Sequence, residues 1–273
     1  MVVWHKIEKL FNDNKGNDKM LKSLENRSNK NEYPYNVINF DKIDLDAPII
    51  FFTGENGSGK TTLLRAISYL TNSIQVSKNI NYQLSKYSEY KIAWSTKLKK
   101  GYHFQGEDFY SFLTWVDKEE KENQLMYEES VKKHGNSNSI GKIMEKGLYK
   151  SNTRMMSDMV NEFKNASRGE GYIRFFASKL RPQALYLLDE PETPLSFQNQ
   201  LTLLSLIDQY VKEGSQFIIC THSPILLAYP GAVIYHFSDT IESINYAEHP
   251  VVKDYQSFLN APERYMNHLF GKK

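Results

Sequence analysis

The chain carries a single cysteine, Cys220, among 273 residues. No disulfide can close within it, which excludes a small scaffold held by cross-links and fits a reducing compartment. A cytoplasmic protein is therefore expected. Cys220 lies in an apolar run and reads as a small buried hydrophobe. An excess of one charge sign is also lacking. Lys and Arg total 34 against 32 Asp and Glu, a formal net charge of +2. That balance gives no global argument for nucleic acid or a membrane surface. No apolar run approaches the roughly 18 residues of a membrane span. The N-terminus lacks the apolar core of a signal peptide. Sustained heptads are missing, which excludes a long coiled-coil arm, and no internal repeat is found.

What is present is a core-forming composition. Hydrophobic residues make up 40% and aromatics 13%, which excludes a disordered chain. The length suits one large domain, or one domain with an insertion.

Residues 54–62 read Gly-Glu-Asn-Gly-Ser-Gly-Lys-Thr-Thr. Gly54, Gly59, Lys60 and Thr61 complete a G-x-x-x-x-G-K-[ST] phosphate loop. An apolar run at 49–52 precedes it, and a helical pattern with Leu63, Leu64, Ile67 and Leu70 on one face follows. That strand, loop and helix order is the context the motif needs. Glycines let backbone N–H groups turn inward around phosphates, and the helix N-terminus adds partial positive charge. Gly54, Asn56, Gly57, Ser58, Gly59 and Thr62 form the cradle with Lys60 and Thr61. Lys60 is expected to reach the β- and γ-phosphates, and Thr61 to ligate magnesium.

Behind this loop, Asp189 and Glu190 close a near-continuous apolar run at 184–188, the pattern of a strand covered on both faces. Asp189 would hold magnesium, and Glu190 would orient and deprotonate an attacking water. His222 follows a second apolar strand, 216–220, from which it could reach the γ-phosphate. Ser167, Gly169 and Glu170 precede a helical stretch at 172–180. A serine and glycine at a helix start suit an anion. Because a phosphate loop already exists, this second anion site would serve a nucleotide held by a partner subunit.

Residues 1–19 read as an N-terminal extension, and short strands are expected near 35–40. The stretch 71–166 is polar and irregular, and reads as an insertion between the two halves of the core. Within it, 134–138 reads as a loop and 144–164 as mostly helical. A helix is expected at 198–211, a strand pair at 232–237 and 241–246, and a helical tail at 251–270 broken at Ala261-Pro262.

Together these motifs resemble the ATP-binding-cassette type of ATPase. Residues 54–61 match Walker A, 185–190 match Walker B with its catalytic glutamate, and His222 matches the switch histidine. Residues 167–170 look like a divergent signature motif: Ala166 stands for Leu, Arg168 for the first Gly and Glu170 for Gln. Residues 192–196 occupy the D-loop position. A closer resemblance is to small, soluble, stand-alone ATPases often filed under AAA-family names. It is carried by residues 33–36, 52–60, 185–191, 214–218, 221–231 and 258–264.

The resemblance implies an α/β P-loop NTPase with an ABC-ATPase-like core. A mixed sheet is flanked by helices, and a helical or irregular insertion carries the signature. It implies one ATPase domain over 1–273, using ATP and Mg2+. Gln105 would ligate the metal and couple the insertion to the nucleotide, with Glu107 as a rival, and Tyr35 would stack on adenine. Two chains would sandwich two ATP molecules, each site completed by Ser167 and Gly169 of the other copy. DNA maintenance or phage defence is the implied setting, although the net charge lends DNA binding no support. The alternatives are an ATP-gated switch for a toxin or nuclease partner, and the nucleotide-binding subunit of a membrane transporter.

Overall fold

The computed structural model describes residues 20–75 (29 apart), 87–95, 100–106 and 168–271, with scattered helical positions between 118 and 132. The elements begin with β1 (Leu21–Asn26), β2 (Lys42–Asp44), β3 (Ile49–Gly54), α1 (Lys60–Leu70), β4 (Ile74–Gln75), β5 (Tyr90–Trp94) and β6 (Lys100–Gln105). They continue with α2 (Arg168–Lys179), β7 (Ala184–Asp189), α3 (Phe197–Lys212), β8 (Gln216–Cys220), α4 (Pro224–Leu227), β9 (Val233–Phe237) and β10 (Ile241–Ser243). A 3-10 turn at Tyr246–Glu248 leads into α5 (Pro250–Asn260) and α6 (Pro262–Phe270).

Seven strands form the main sheet in the order β10-β9-β3-β8-β7-β6-β4. Every neighbouring pair is parallel except β9 with β10. β3, β7 and β8 are buried at every position, so each must be apolar on both faces. Alternation along β3 divides its side chains between two layers. Ile50 and Phe52 pack with Leu63, Leu64 and Ile67 of α1. Ile49 and Phe51 pack on the other face with Phe175 and Phe176 of α2 and Leu203 and Ile207 of α3.

A second, antiparallel sheet runs β2-β1-β5. Gln216 fastens it to the main sheet. This fully buried amide accepts from Leu21 N at 2.8 Å. Its Nε2 faces the carbonyls of Leu21, Leu45 and Ala47 at 3.2, 2.7 and 3.0 Å. One side chain thus satisfies the backbone where two sheets meet, a place where no ladder can do so.

Several expectations are met. The helices at 172–180 and 198–211 are α2 and α3, the strand at 216–220 is β8, and the tail breaks into α5 and α6 at Ala261. Two need correction. Residues 35–40 form turns and bends, not strands. Tyr35 N and Asn36 N both bond to Glu32 O, which closes the chain on itself, and the aromatic residues there serve core packing. The stretch 71–166 is not wholly inserted: β5 pairs with β1, and β6 lies in the main sheet between β7 and β4. The expected extension at 1–19, the loop at 134–138 and the helix at 144–164 lie outside the described residues. Among the described residues no helix is long and apolar enough to cross a membrane.

Gln216→Leu keeps volume but leaves Leu21 N and three carbonyls without their partner. The expected cost is at least about 3 kcal/mol, read as a lower urea midpoint with an unchanged slope.

Candidate nucleotide site

The carboxyl ends of β3, β8, β7 and β6 come together. Phe52 is level with Cys220, Cys220 with Asp189, and Asp189 with Gln105. The loops leaving these strands therefore converge on one edge, the usual position of a ligand crevice in a parallel sheet. Because β8 separates β3 from β7, the His222 segment emerges between the phosphate loop and the acidic pair.

The phosphate loop depends on glycine where the chain folds tightly. Gly59 has φ of 100°, and a Cβ there would stand 2.8 Å from Val37 Cγ1. A Cβ on Gly54, at φ of 134°, would collide with the Phe237 carbonyl. Asn56 and Gly57 are exposed, and Ser58, Thr61 and Thr62 are half-buried. Helix α1 starts at Lys60 without a side-chain cap and with no acid in its first turn. Its first N–H groups and its positive end therefore suit an anion. Lys60 is 5% exposed, and its ammonium donates to Gly54 O at 2.8 Å and Glu55 O at 2.7 Å. Burial lowers its pKa, while the nearby carboxylates of Glu190 and Asp189 act in the opposite sense.

Thr61 Oγ1 donates to Asp189 Oδ1 at 3.1 Å, joining the start of α1 to the end of β7. Burial raises the Asp189 pKa, and the Thr61 hydroxyl opposes that shift. A cleft of about 230 Å³ opens here, lined by Thr61, Arg65, Gln105, Asp189 and Glu190 among others. Hydroxyl, carboxylate and amide oxygens on one cleft make an all-oxygen donor set, which fits a hard cation such as Mg2+.

Glu190 sits in the left-handed region with φ of 50°, a conformation that costs a residue with a Cβ about 1 kcal/mol or more. Three contacts hold it there. Its N–H donates to Cys220 O at 2.9 Å, and Thr193 N donates to its carbonyl at 3.2 Å. Gly106, anchored by its own N–H to Asp189 O at 2.7 Å, lies so close that an added Cβ would strike the Glu190 carbonyl. His222 Nε2 stands 4.0 Å from Glu190 Oε1. Burial and the Lys60 charge lower the His222 pKa, with Glu190 opposing, which favours the neutral imidazole.

The structure thus brings Lys60, Thr61, Gln105, Asp189, Glu190 and His222 to one edge. It does not bring Tyr35 to a surface. That ring is 7% exposed, packs 4.9 Å from Tyr90, and its hydroxyl accepts from Glu89 N at 3.1 Å. The expected adenine-stacking role is corrected: Tyr35 is a core residue, and Tyr33, 50% exposed, is the surface aromatic of the same turn. Gly169 is buried at the start of α2 against Asn199 and the Pro194 carbonyl, and Glu170 is exposed. Ser167 and Glu107 lie outside the described residues.

One residue of this region carried no individual role in the sequence reading. Glu192 Oε1 accepts from Thr221 Oγ1 at 2.7 Å and from His222 N at 2.8 Å. Burial raises its pKa, and these two hydrogen bonds oppose the shift. Its only sequence signal is an acid two places after Glu190.

Glu190→Gly should relieve the backbone strain and stabilise the fold by about 1 kcal/mol. A rise in the denaturation midpoint checks this, and a fall would show that the left-handed backbone carries no strain.

The chain matches the family described as AAA domain over residues 34–217, more than half its length. No curated protein matches it. Solved structures to which it is similar include a nucleotide-free ATP-binding cassette from an ABC transporter, at 12% identity and a TM-score of 0.44, covering 88% of this chain and 95% of that one. A second is an Smc head bound to the C-winged helix domain of ScpA, at 14% identity and a TM-score of 0.43, covering 84% and 97%. A third is cbiO1 from Clostridium perfringens, part of an ABC transporter complex, at 14% identity and a TM-score of 0.42, covering 93% and 99%. The family match and the motifs coincide on a P-loop ATPase fold, and the chain belongs to the AAA domain family.

Proposed function

We propose that the chain is a magnesium-dependent ATPase that works as an ATP-sandwiched homodimer. The observation that carries this reading is the convergence of the Thr61–Asp189 hydrogen bond, at 3.1 Å, with the Glu190–His222 pair, at 4.0 Å, beside the phosphate loop.

On ATP binding, loop N–H groups and the start of α1 take up the phosphate charge. Lys60 exchanges two carbonyl acceptors, Gly54 O and Glu55 O, for phosphate oxygens. That exchange replaces neutral acceptors by charged ones and strengthens each bond. Thr61, Asp189 and Gln105 would hold Mg2+, which would supply positive charge to offset that of the phosphates. Glu190 takes a proton from the water that attacks the γ-phosphorus, and ADP leaves with the electrons of the broken P–O bond. At 4.0 Å the His222–Glu190 separation is too long for a direct hydrogen bond, and His222 Nε2 is buried without a partner. With its proton on that nitrogen, a neutral imidazole would have a donor free for the γ-phosphate or the attacking water once nucleotide binds.

The dimer reading rests on α2. Its N-terminal turn, with Gly169, packs against the segment that follows Glu190. Ser167 of one copy, beside the exposed Glu170, would face the γ-phosphate held by the other, so dimerisation would depend on ATP and hydrolysis would reopen the pair. Exposed Tyr33 is the aromatic we assign to the adenine.

Glu190→Gln should bind ATP, lose at least about 100-fold in turnover, and accumulate as a dimer with ATP–magnesium. Mass in solution with and without nucleotide checks this. Normal turnover would remove Glu190 from its role, and a monomer at saturating ATP would remove the sandwich.

A further inference from the structure

The segment after Glu190 is joined to the end of β8 by more than the sheet ladder. Glu190 N bonds to Cys220 O at 2.9 Å. Two residues later the Glu192 side chain turns back to the same strand end. Its Oε1 takes the Thr221 hydroxyl at 2.7 Å and the His222 N–H at 2.8 Å. Thr221 Oγ1 in turn accepts from Ser223 N at 3.0 Å, and Ser223 Oγ lies 2.5 Å from Gln200 Oε1 of α3. Residues 221–223 are thus tied on one side to Glu192 and on the other to α3. The turn that carries Glu190 is fixed as well, since Leu195 N bonds to Glu192 O at 2.8 Å.

The choice of a carboxylate here is costly. Glu192 Oε2 is buried and has no hydrogen-bond partner. A neutral acceptor could hold two N–H or O–H donors without burying half of an ionisable group. A carboxylate makes both bonds charge-assisted, and so shorter and stiffer. The residue it stiffens is the one whose imidazole faces Glu190. A 1 Å displacement of that imidazole changes its relation to the water and the γ-phosphate, while the phosphate loop and the metal ligands stay in place.

We infer that Glu192 is a positioning residue for hydrolysis, which fixes the His222 backbone and thereby the separation between the imidazole and the Glu190 carboxylate. The inference rests on the roles given to Glu190 and His222 above. It assigns Glu192 to the chemical step and not to ATP binding.

The test is a kinetic double-mutant cycle on the full chain. Glu192→Ala should lower kcat by about 30-fold with KM for ATP unchanged within about 2-fold. Glu192→Gln retains the Oε1 acceptor and should recover kcat to within about 5-fold of wild type. In a His222→Ala chain, adding Glu192→Ala should change kcat by less than about 2-fold, because the group being positioned is gone. A wild-type kcat in Glu192→Ala, or losses that multiply in the double variant, would overturn the inference while leaving His222 in its role. A wild-type kcat in His222→Ala would overturn the reading of His222 and the inference with it. If thermal melting shows that Glu192→Ala does not fold, Thr221→Val, which removes the bond to Glu192 and with it the acceptor of Ser223 N, enters the same cycle. It should show a smaller kcat loss that also vanishes in the His222→Ala background, and a loss that persists there would overturn the inference.

Discussion

The hydrogen bond from Glu190 N to Cys220 O, at 2.9 Å, is the last rung between β7 and β8, and the site hangs on the register it closes. That register sets Asp189 level with Cys220 on one side and with Gln105 on the other. β8 in turn sets Cys220 level with Phe52, two residues before the phosphate loop begins. A shift of one residue in any of these pairings would turn alternate side chains to the wrong face. It would separate Asp189 from Thr61 and His222 from Glu190. Placing β8 in the middle is what allows a hydroxyl on α1, the two acids at the end of β7 and a histidine after β8 to meet.

The edge itself is held in an unfavourable state. Glu190 has a left-handed backbone, Asp189 and Lys60 are charged groups with little exposure, and Glu192 Oε2 has no partner. Each feature costs free energy in isolation. The layers beneath supply the opposing term: three fully buried strands, covered by α1 on one face and by α2 and α3 on the other. Aromatic stacking reinforces the second layer, where Tyr186 lies between Tyr102 and Phe217 at centroid distances of 5.4 and 4.9 Å. The result is a rigid platform with its polar groups already aimed, which suits a reaction governed by positioning and charge.

The parts legible in the sequence are those whose signal is local. The phosphate loop reads directly because glycine spacing, the preceding apolar strand and the following amphipathic helix are contiguous. β7 and β8 read directly because both of their faces are apolar. β6 did not, because Lys100, Tyr102, His103 and Gln105 give a central strand a polar text, yet Gly101, His103 and Phe104 are buried. Tyr35 was misplaced because an aromatic upstream of a phosphate loop looks the same whether it faces solvent or Tyr90. Gln105 was picked out only by its distance from Lys60; its place beside Asp189 is a matter of register. Glu192 could not be assigned, since its partners lie 29 and 30 residues away, just past the end of β8.

The most direct test of the account is the affinity of ATP–magnesium for the wild-type chain and for Lys60→Ala, measured by calorimetric titration. Loss of charge-assisted bonds to the phosphates should weaken binding by at least about 100-fold. An unchanged affinity would contradict the assignment of the phosphate loop, and with it every role derived from the convergence of β3, β8, β7 and β6.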